Sequence, residues 1–189
     1  MGGVVGLVLA AGAGRRFGGP KAIAVLDGAR LVDRAVATLT AGGCDPVVVV
    51  AGAQPLVVPG ATVIENPWWD TGMGSSLRAG LGHLAGGPAS GVVVLLVDTP
   101  WVGPGAVSRL IGAGDAGAIA AQATYGGVPG HPVLLGRRVW DDVAALAVGD
   151  RGARGWLRAH PGLVTQVVCD GTGDPRDVDR SQDLVDPPP

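Results

Sequence analysis

The sequence from Val4 to Lys21 reads VVGLVLAAGAGRRFGGPK. Residues 4–10 form a short, continuous apolar run, which is typical of a strand buried on both faces of a parallel sheet. The glycines that follow permit positive φ angles and close approach of a ligand, so successive backbone N–H groups can surround an anion. This stretch therefore predicts a buried strand followed by an anion-binding loop over residues 9–21.

The strand pattern recurs along the chain and alternates with helical periodicity. Apolar runs at residues 47–51 and 91–97 predict two more buried strands. Two weaker strands are predicted at residues 61–65 and 116–121. Four helices are predicted at residues 31–39, 77–84, 104–112 and 139–146. The alternation predicts an α/β fold, with one doubly wound, mostly parallel sheet between helices in a single domain of residues 1–189. Such sheets bind ligands beyond the carboxyl ends of their strands.

Composition and charge exclude several classes of function. A net charge of −2 and a pI near 5.8 give no electrostatic basis for binding nucleic acid or an anionic membrane. Cys44 and Cys169 lie far apart without metal-binding spacing, so we expect free thiols in a reducing compartment. The apolar run after Val4 has no basic segment before it, so we expect a cytoplasmic protein without a signal peptide.

The glycine spacing excludes two familiar phosphate-binding motifs. Gly12, Gly14 and Gly18 give GxGxxxG, one residue longer than the dinucleotide fingerprint. A Walker loop needs Ser or Thr after its lysine, whereas Ala22 follows Lys21. Two interpretations of the loop remain. Either its amides act with Arg16 and Lys21 to hold a triphosphate, or it is a glycine-rich turn with solvated arginines.

The segment LAAGAGRRFGGPK closely resembles the signature loop of the NTP-transferase superfamily. Two alanines before the glycine resemble the molybdenum cofactor cytidylyltransferases, whereas the guanylyltransferase relatives usually have glycine in place of Ala11. Phe17 stands where methionine is usual. The resemblance implies catalytic roles for Arg16 and Lys21 and a set of nucleotide-binding residues: Leu9, Ala10, Ala11, Gly12, Ala13, Gly14, Arg15, Arg16 and Lys21.

Asp98 stands at the carboxyl end of the apolar strand at residues 91–97. A carboxylate beside six apolar residues is costly to bury unless it is paired or binds metal, although a turn or helix-capping aspartate also fits. The D-x-P element resembles the family's catalytic metal-binding aspartate, where Mg²⁺ bridges protein and triphosphate. The cytidylyltransferases commonly have glutamine in place of Thr99.

A second acidic element, DVDRSQDL at residues 177–184, resembles the family's D-x-D-T-P-E-D-L pattern, with Arg180 and Ser181 replacing Thr-Pro. The resemblance implies that Asp179 is the second Mg²⁺ ligand, with Asp177 as the alternative. A solvated acidic tail with a helix starting at Ser181 fits the residues too. For Asp98 and Asp179 to bind one ion, the C-terminal segment must return across the first loop.

Three further elements resemble those of the cofactor cytidylyltransferases. In NPWWDTGMGSSLRAGL, residues 66–81, Ser75 or Ser76 can cap a helix, and the resemblance places Gly74, Ser75 and Ser76 at the cytidine. GHPV at residues 130–133 reads as an exposed glycine/proline turn, and GDRGAR spans residues 149–154. The implied acceptor-binding residues are Thr99, Pro100, His131, Asp150 and Arg154.

The ordered resemblance, from Val5 to Leu184, predicts transfer of CMP from CTP to the terminal phosphate of a molybdopterin-type cofactor, with Mg²⁺ as the metal. Transient contact with a molybdoenzyme or a cofactor-insertion protein is also expected. Guanylyl or other nucleotidyl transfer to a different phosphate acceptor is an alternative. So are an oxidoreductase of the nicotine-blue-reductase type, which would bind flavin or nicotinamide, and a nucleotide-binding regulatory domain without turnover.

Overall fold

A computed structural model describes residues 2–184. Its strands are β1 (Val4–Leu9), β2 (Val25–Leu26), β3 (Ala29–Arg30), β4 (Val47–Ala51), β5 (Thr62–Glu65), β6 (Gly91–Leu96), β7 (Ala120–Tyr125), β8 (Val128–Gly136) and β9 (Val164–Val168). Its helices are α1 (Leu31–Ala41), α2 (Met73–Leu84), α3 (Pro104–Asp115), α4 (Trp140–Leu146) and α5 (Arg154–Ala159). Short 3₁₀ turns include Lys21–Ile23, Trp69–Thr71, Gly149–Arg151 and Ser181–Leu184.

The main sheet has seven strands in the order β5-β4-β1-β6-β8-β7-β9. Strands β5, β4, β1 and β6 pair in parallel, as do β7 and β9, whereas β8 runs antiparallel to both neighbours. One apolar layer packs α1 and α3 against the sheet, and the other packs α2, α4 and α5 against its opposite face. The predicted doubly wound, mostly parallel α/β fold is confirmed.

The inner strands are apolar throughout because both of their faces are covered. Leu7 and Val8 are adjacent in β1 and point to opposite faces, yet each is fully buried in a different layer of the core. Each fully buried side chain of this size contributes roughly 1.5–3 kcal/mol relative to an exposed one. Successive side chains of one strand thus pack against helices on opposite faces, and this packing holds the sheet between the two helical layers.

The antiparallel part of the sheet differs from the sequence prediction. The strand expected at residues 116–121 begins at Ala120, because α3 continues to Asp115 and a turn at Gly117 follows. The GHPV element is not an exposed turn, since His131 lies within β8. Pro129 and Pro132 are tolerated there because β6 pairs with β8 only from Val133 onward.

The sheet register brings the predicted loops together. Leu9 at the end of β1 lies opposite Leu96 at the end of β6, so the glycine-rich loop and Asp98 leave the same edge side by side. Among residues 2–184, none of the helices has the length and apolarity needed to cross a bilayer. The predicted single domain also includes residues 1 and 185–189, which lie outside the described residues, and it stays a prediction.

Candidate active site

The loop after β1 is closed by its own backbone around Gly14. The Gly14 carbonyl accepts hydrogen bonds from the N–H groups of Phe17, Gly18 and Gly19, at 2.9, 2.9 and 3.2 Å. Gly14 has a φ of 60°, and a Cβ placed there would lie 1.9 Å from the Gly19 carbonyl oxygen. Glycine at position 14 is therefore a geometric requirement of this loop.

We expect Gly14→Ala to reduce triphosphate affinity by at least about tenfold, because the added methyl forces the loop away from Gly19. The core does not depend on the loop, so the cooperative unfolding transition should persist. Isothermal titration with a nucleoside triphosphate measures the loss. Gly19→Ala is the matched control, since a Cβ at position 19 meets no atom within 4 Å, and equal losses in the two variants would contradict this account.

Lys21 joins the two predicted metal ligands. Its Nζ lies 2.9 Å from Asp98 Oδ2 and 3.4 Å from Asp179 Oδ1, although the two acids are far apart in sequence. The Lys21 and Asp98 side chains are 15% and 23% exposed, so their attraction is only partly screened by solvent. The Asp179 side chain, 41% exposed, also lies 3.2 Å from Arg16 Nη1. The tail therefore returns across the first loop, as the two-ligand prediction requires.

The donor set fits a hard divalent cation. Asp98 and Asp179 meet at Lys21, and Mg²⁺ in nucleotide sites usually takes one or two carboxylates with substrate phosphates and water. No group of three or more His, Cys, Asp or Glu side chains gathers as a metal cluster among residues 2–184. Asp98 and Asp179 would therefore hold a metal only together with phosphate oxygens.

The tail is held in place by backbone hydrogen bonds and by Asp183. The Val178 N–H donates to the Asp98 carbonyl at 2.8 Å. Asp183 Oδ2 accepts the N–H groups of Asp179 and Arg180, at 2.8 and 2.7 Å. Asp177 instead lines a separate cavity with Trp101 and Arg176. The contacts thus bring Asp179, rather than Asp177, to Lys21.

The Asp183 carboxylate makes the docking of the tail sensitive to acid. The N–H of Arg180, followed by that of Asp179, lowers the pKa of this carboxyl in the folded chain. A lowered folded pKa stabilises the turn above the ordinary value near 3.8, and this contribution is lost as pH falls through the folded pKa.

We expect Asp183→Ala to increase amide hydrogen exchange at residues 179 and 180 at neutral pH, because the carboxylate that accepts these two N–H groups is removed. Wild-type protein should lose the same protection, measured against the intrinsic exchange rate at each pH, only in acid as pH falls through the lowered pKa of the folded chain. Mass spectrometry of peptides from the tail measures both effects. The exchange rate of β1 is the internal control, and identical tail exchange in the variant and the wild type would contradict the assignment.

A cavity of about 500 Å³ opens at this sheet edge. The predicted nucleotide-binding, catalytic and metal-binding residues that line it are Leu9, Ala11, Gly12, Ala13, Gly14, Arg15, Arg16, Lys21, Ser76, Asp98 and Asp179. Three predicted nucleotide-binding residues do not line it. Ala10 is buried in the core, Gly74 packs against the Ala147 backbone, and Ser75 hydrogen-bonds to Asn66.

A second cavity, of about 610 Å³, contains most of the predicted acceptor residues. His131, Asp150 and Arg154 line it, and it shares Leu9, Met73, Leu96 and Asp150 with the first cavity. Thr99 lines neither cavity, because its hydroxyl donates to the Leu96 carbonyl at 2.9 Å, and Pro100 lines neither as well. The cavities adjoin along a shared wall, so ligands in both would meet there.

His131 differs in environment from the sequence interpretation. Burial lowers the pKa of its imidazole, which favours the neutral form, while Asp98 opposes that shift. Its buried Nδ1 has no hydrogen-bond partner among the described residues. A neutral imidazole can donate to or accept from a ligand, and its acceptor-binding role stays a prediction.

The structure adds residues that motif reading did not single out. Trp69 and Met73 line the first cavity, whereas Trp68 is 69% exposed. The Met73 N–H points to Asp150 Oδ1 at 3.4 Å, and Gly72 rather than a serine stands at the N-cap of α2. The expected serine cap is therefore wrong, because the serine hydroxyls bond to Asn66 and to carbonyls instead.

Comparison with known proteins places these features in a family. Residues 6–164 match the family described as MobA-like NTP transferase domain. The chain belongs to this family. This MobA-like chain is 36% identical, over 96% of its length and 94% of the relative's, to the nicotine blue oxidoreductase of Paenarthrobacter nicotinovorans.

Two further comparisons concern activity and metal. The MobA-like chain is 31% identical to the molybdenum cofactor guanylyltransferase of Cereibacter sphaeroides, over 95% of this chain and 96% of that relative. The structure of Rv0371c from Mycobacterium tuberculosis in complex with manganese superposes with a TM-score of 0.75 at 27% identity, covering 96% of each chain. Family membership supports a nucleotidyltransferase, and the manganese complex is consistent with two carboxylates that can take a divalent metal.

Proposed function

We propose that this MobA-like protein transfers CMP from CTP to the terminal phosphate of a molybdopterin-type cofactor and releases pyrophosphate. The observation that carries the proposal is the meeting of Lys21, Asp98 and Asp179 at a cavity formed by the glycine-rich loop. These groups come from three distant parts of the chain. The ammonium of Lys21 complements the negative triphosphate, and the two carboxylates complement a metal cation bound to it. We further propose a cytoplasmic location and transient contact with a molybdoenzyme or a cofactor-insertion protein.

The proposed reaction needs no covalent bond to the protein. An oxygen of the acceptor phosphate forms a bond to the α-phosphorus of CTP, and the bond to the β-phosphate oxygen breaks with release of pyrophosphate. Lys21, Arg16 and the loop amides stabilise the negative charge that develops on the leaving group. Mg²⁺ held by Asp98 and Asp179 would neutralise phosphate oxygens when bound. Juxtaposition of the two cavities orients the acceptor and so lowers the entropic cost of reaction.

The choice of CTP rests on Ala11 and the size of the nucleoside region. Ala11 is buried in the cavity wall, where its methyl group and Trp69 both lie against Gly52. We infer that a methyl at this position leaves less room for the base in the cavity than the glycine usual in guanylyltransferases, which favours a pyrimidine over a purine. The similarity to a guanylyltransferase keeps guanylyl transfer as the alternative within this class.

A panel of CTP, GTP, ATP and UTP with Mg²⁺ and a molybdopterin acceptor tests the proposal. We expect pyrophosphate release with CTP to exceed that with GTP by at least about tenfold in kcat/KM, as a pocket contact of 1–3 kcal/mol gives. A preference for GTP would shift the assignment to guanylyl transfer. Release with none of the four would remove the transferase proposal.

Oxidoreduction is the second candidate, because a 36% identical relative carries an oxidoreductase name. Two features weigh against it: the glycines are off the dinucleotide register, and two acids meet at the loop. Oxidation of NADH or NADPH in the presence of a quinone or dye acceptor, measured at 340 nm on the same protein sample, separates the two candidates. Retained triphosphate binding without either activity would indicate a regulatory domain.

A further inference from the structure

Asn66 is a buried amide, 2% exposed, just after β5 and outside the predicted site. Its Oδ1 accepts the Trp68 backbone N–H at 3.0 Å. Because a backbone N–H can only donate, this bond determines which end of the amide is the oxygen. Nδ2 therefore faces Ser75 Oγ and Ser76 Oγ, at 2.8 and 3.1 Å, and donates to both.

The two serine hydroxyls that accept hydrogen bonds from the Asn66 amide differ in the acceptors available to their own protons. The single hydroxyl proton of Ser75 has two carbonyl acceptors within reach, those of Trp68 and Gly72, at 2.8 and 2.9 Å. Ser76 Oγ accepts from Asn66, and its proton has no acceptor within residues 2–184. Ser76 is 4% exposed and lines the first cavity. A buried hydroxyl proton without an acceptor is unfavourable, so an acceptor on a ligand in that cavity would complete the network.

We propose that Asn66 is a positioning residue that makes Ser76 a hydrogen-bond donor toward the nucleoside part of the bound triphosphate. This inference rests on the proposed function, since it assigns a role in recognising CTP. The cationic groups suited to phosphate lie on the loop after β1, whereas Ser76 is neutral and lies on α2. Cytosine offers two acceptors, O2 and N3, to such a donor, and no donor of its own at either position.

Binding measurements on the full chain with Mg²⁺ test the role of Ser76. CTP and inorganic tripolyphosphate are the two probes, because only CTP carries a nucleoside. We expect Ser76→Ala to weaken CTP binding about tenfold and to leave tripolyphosphate binding within about twofold. Ser108→Ala is the matched control: it removes a hydroxyl of α3 that bonds to the Gly42 and Pro104 carbonyls away from the cavity, so the ratio of the two dissociation constants should stay at the wild-type value.

A double-mutant cycle tests whether Asn66 acts through Ser76. Asn66→Asp keeps the acceptor for Trp68 but removes the donor, so the Ser76 proton turns to the new carboxylate and away from the cavity. We expect about tenfold weaker CTP binding in Asn66→Asp and no further loss when Ser76→Ala is added. Because a buried carboxylate is costly, Asn66→Ala repeats the cycle without a buried charge if the first variant is unfolded.

The outcomes separate this inference from the proposed function. Equal weakening of CTP and tripolyphosphate by Ser76→Ala, or no weakening of either, overturns the inference while nucleotide binding stands. Additive losses in both cycles overturn the role of Asn66. Wild-type protein that binds neither probe overturns the proposed function and this inference with it.

Discussion

Asp98→Asn is expected to lower pyrophosphate release from CTP by about 10³-fold. The substitution keeps the size of the side chain and removes the charge that faces Lys21 and the proposed metal. Folding should survive, because both side chains keep some exposure to solvent and Lys21 retains Asp179 as a counter-ion, so we expect a loss of about 1 kcal/mol. A steady-state pyrophosphate assay and a thermal unfolding scan, with a Tm shift below about 4 °C, check both parts.

Asp177→Asn is the matched control for Asp98→Asn. Asp177 is also an aspartate of the metal-site motif, but it lines a separate cavity with Trp101 and Arg176. We expect its loss to change pyrophosphate release by less than about threefold, within the range of an exposed surface charge. Equal losses in the two variants would show that overall negative charge matters, rather than the position of Asp98. Full activity in Asp98→Asn would remove it from the metal site.

Much of this site could be predicted because its parts stand at the ends of strongly patterned strands. The runs that became β1 and β6 are apolar on both faces, so a parallel sheet was the consistent interpretation and Asp98 fell at its ligand-binding edge. The loop spacing and the acidic tail then supplied charges of opposite sign. Their meeting at Lys21 follows from the fold, since no local pattern measures the distance from residue 21 to residue 179.

The features that the sequence predicted wrongly or did not reveal depend on tertiary contacts. Pro129 and Pro132 made β8 read as a turn, because proline cannot donate to a ladder, yet they fall where β6 no longer pairs. That segment partly buries His131, and this burial lowers the pKa of its imidazole. Asn66 was visible in the NPWW motif, but its role depends on three hydrogen bonds that only the packed turn reveals.

Lys21→Met is expected to weaken CTP·Mg²⁺ binding by about 100-fold, the loss of a charge-assisted hydrogen bond to phosphate of roughly 3 kcal/mol. Methionine keeps most of the aliphatic stem, so packing at the loop changes little. Titration calorimetry measures the affinity. Arg176→Met is the control, because Arg176 is a cation of the tail that pairs with Asp174 outside the first cavity. An unchanged CTP affinity in Lys21→Met would contradict the assignment of this loop to the triphosphate.

Chemical modification gives an independent measurement, since Lys21 is the single lysine of the chain. Reductive methylation should label Lys21 more slowly than an exposed lysine in free protein, because its ammonium is held by Asp98 and Asp179. Addition of CTP should slow the labelling further.

Lys21→Met should also bind Mn²⁺ without nucleotide more tightly than wild type, as measured by electron paramagnetic resonance. Removal of the ammonium leaves the two carboxylates without their internal counter-ion, so an external cation takes its place. Weaker CTP binding combined with tighter metal binding would separate the two functions of one side chain. Loss of both together would mean that Lys21 only holds the loop in shape.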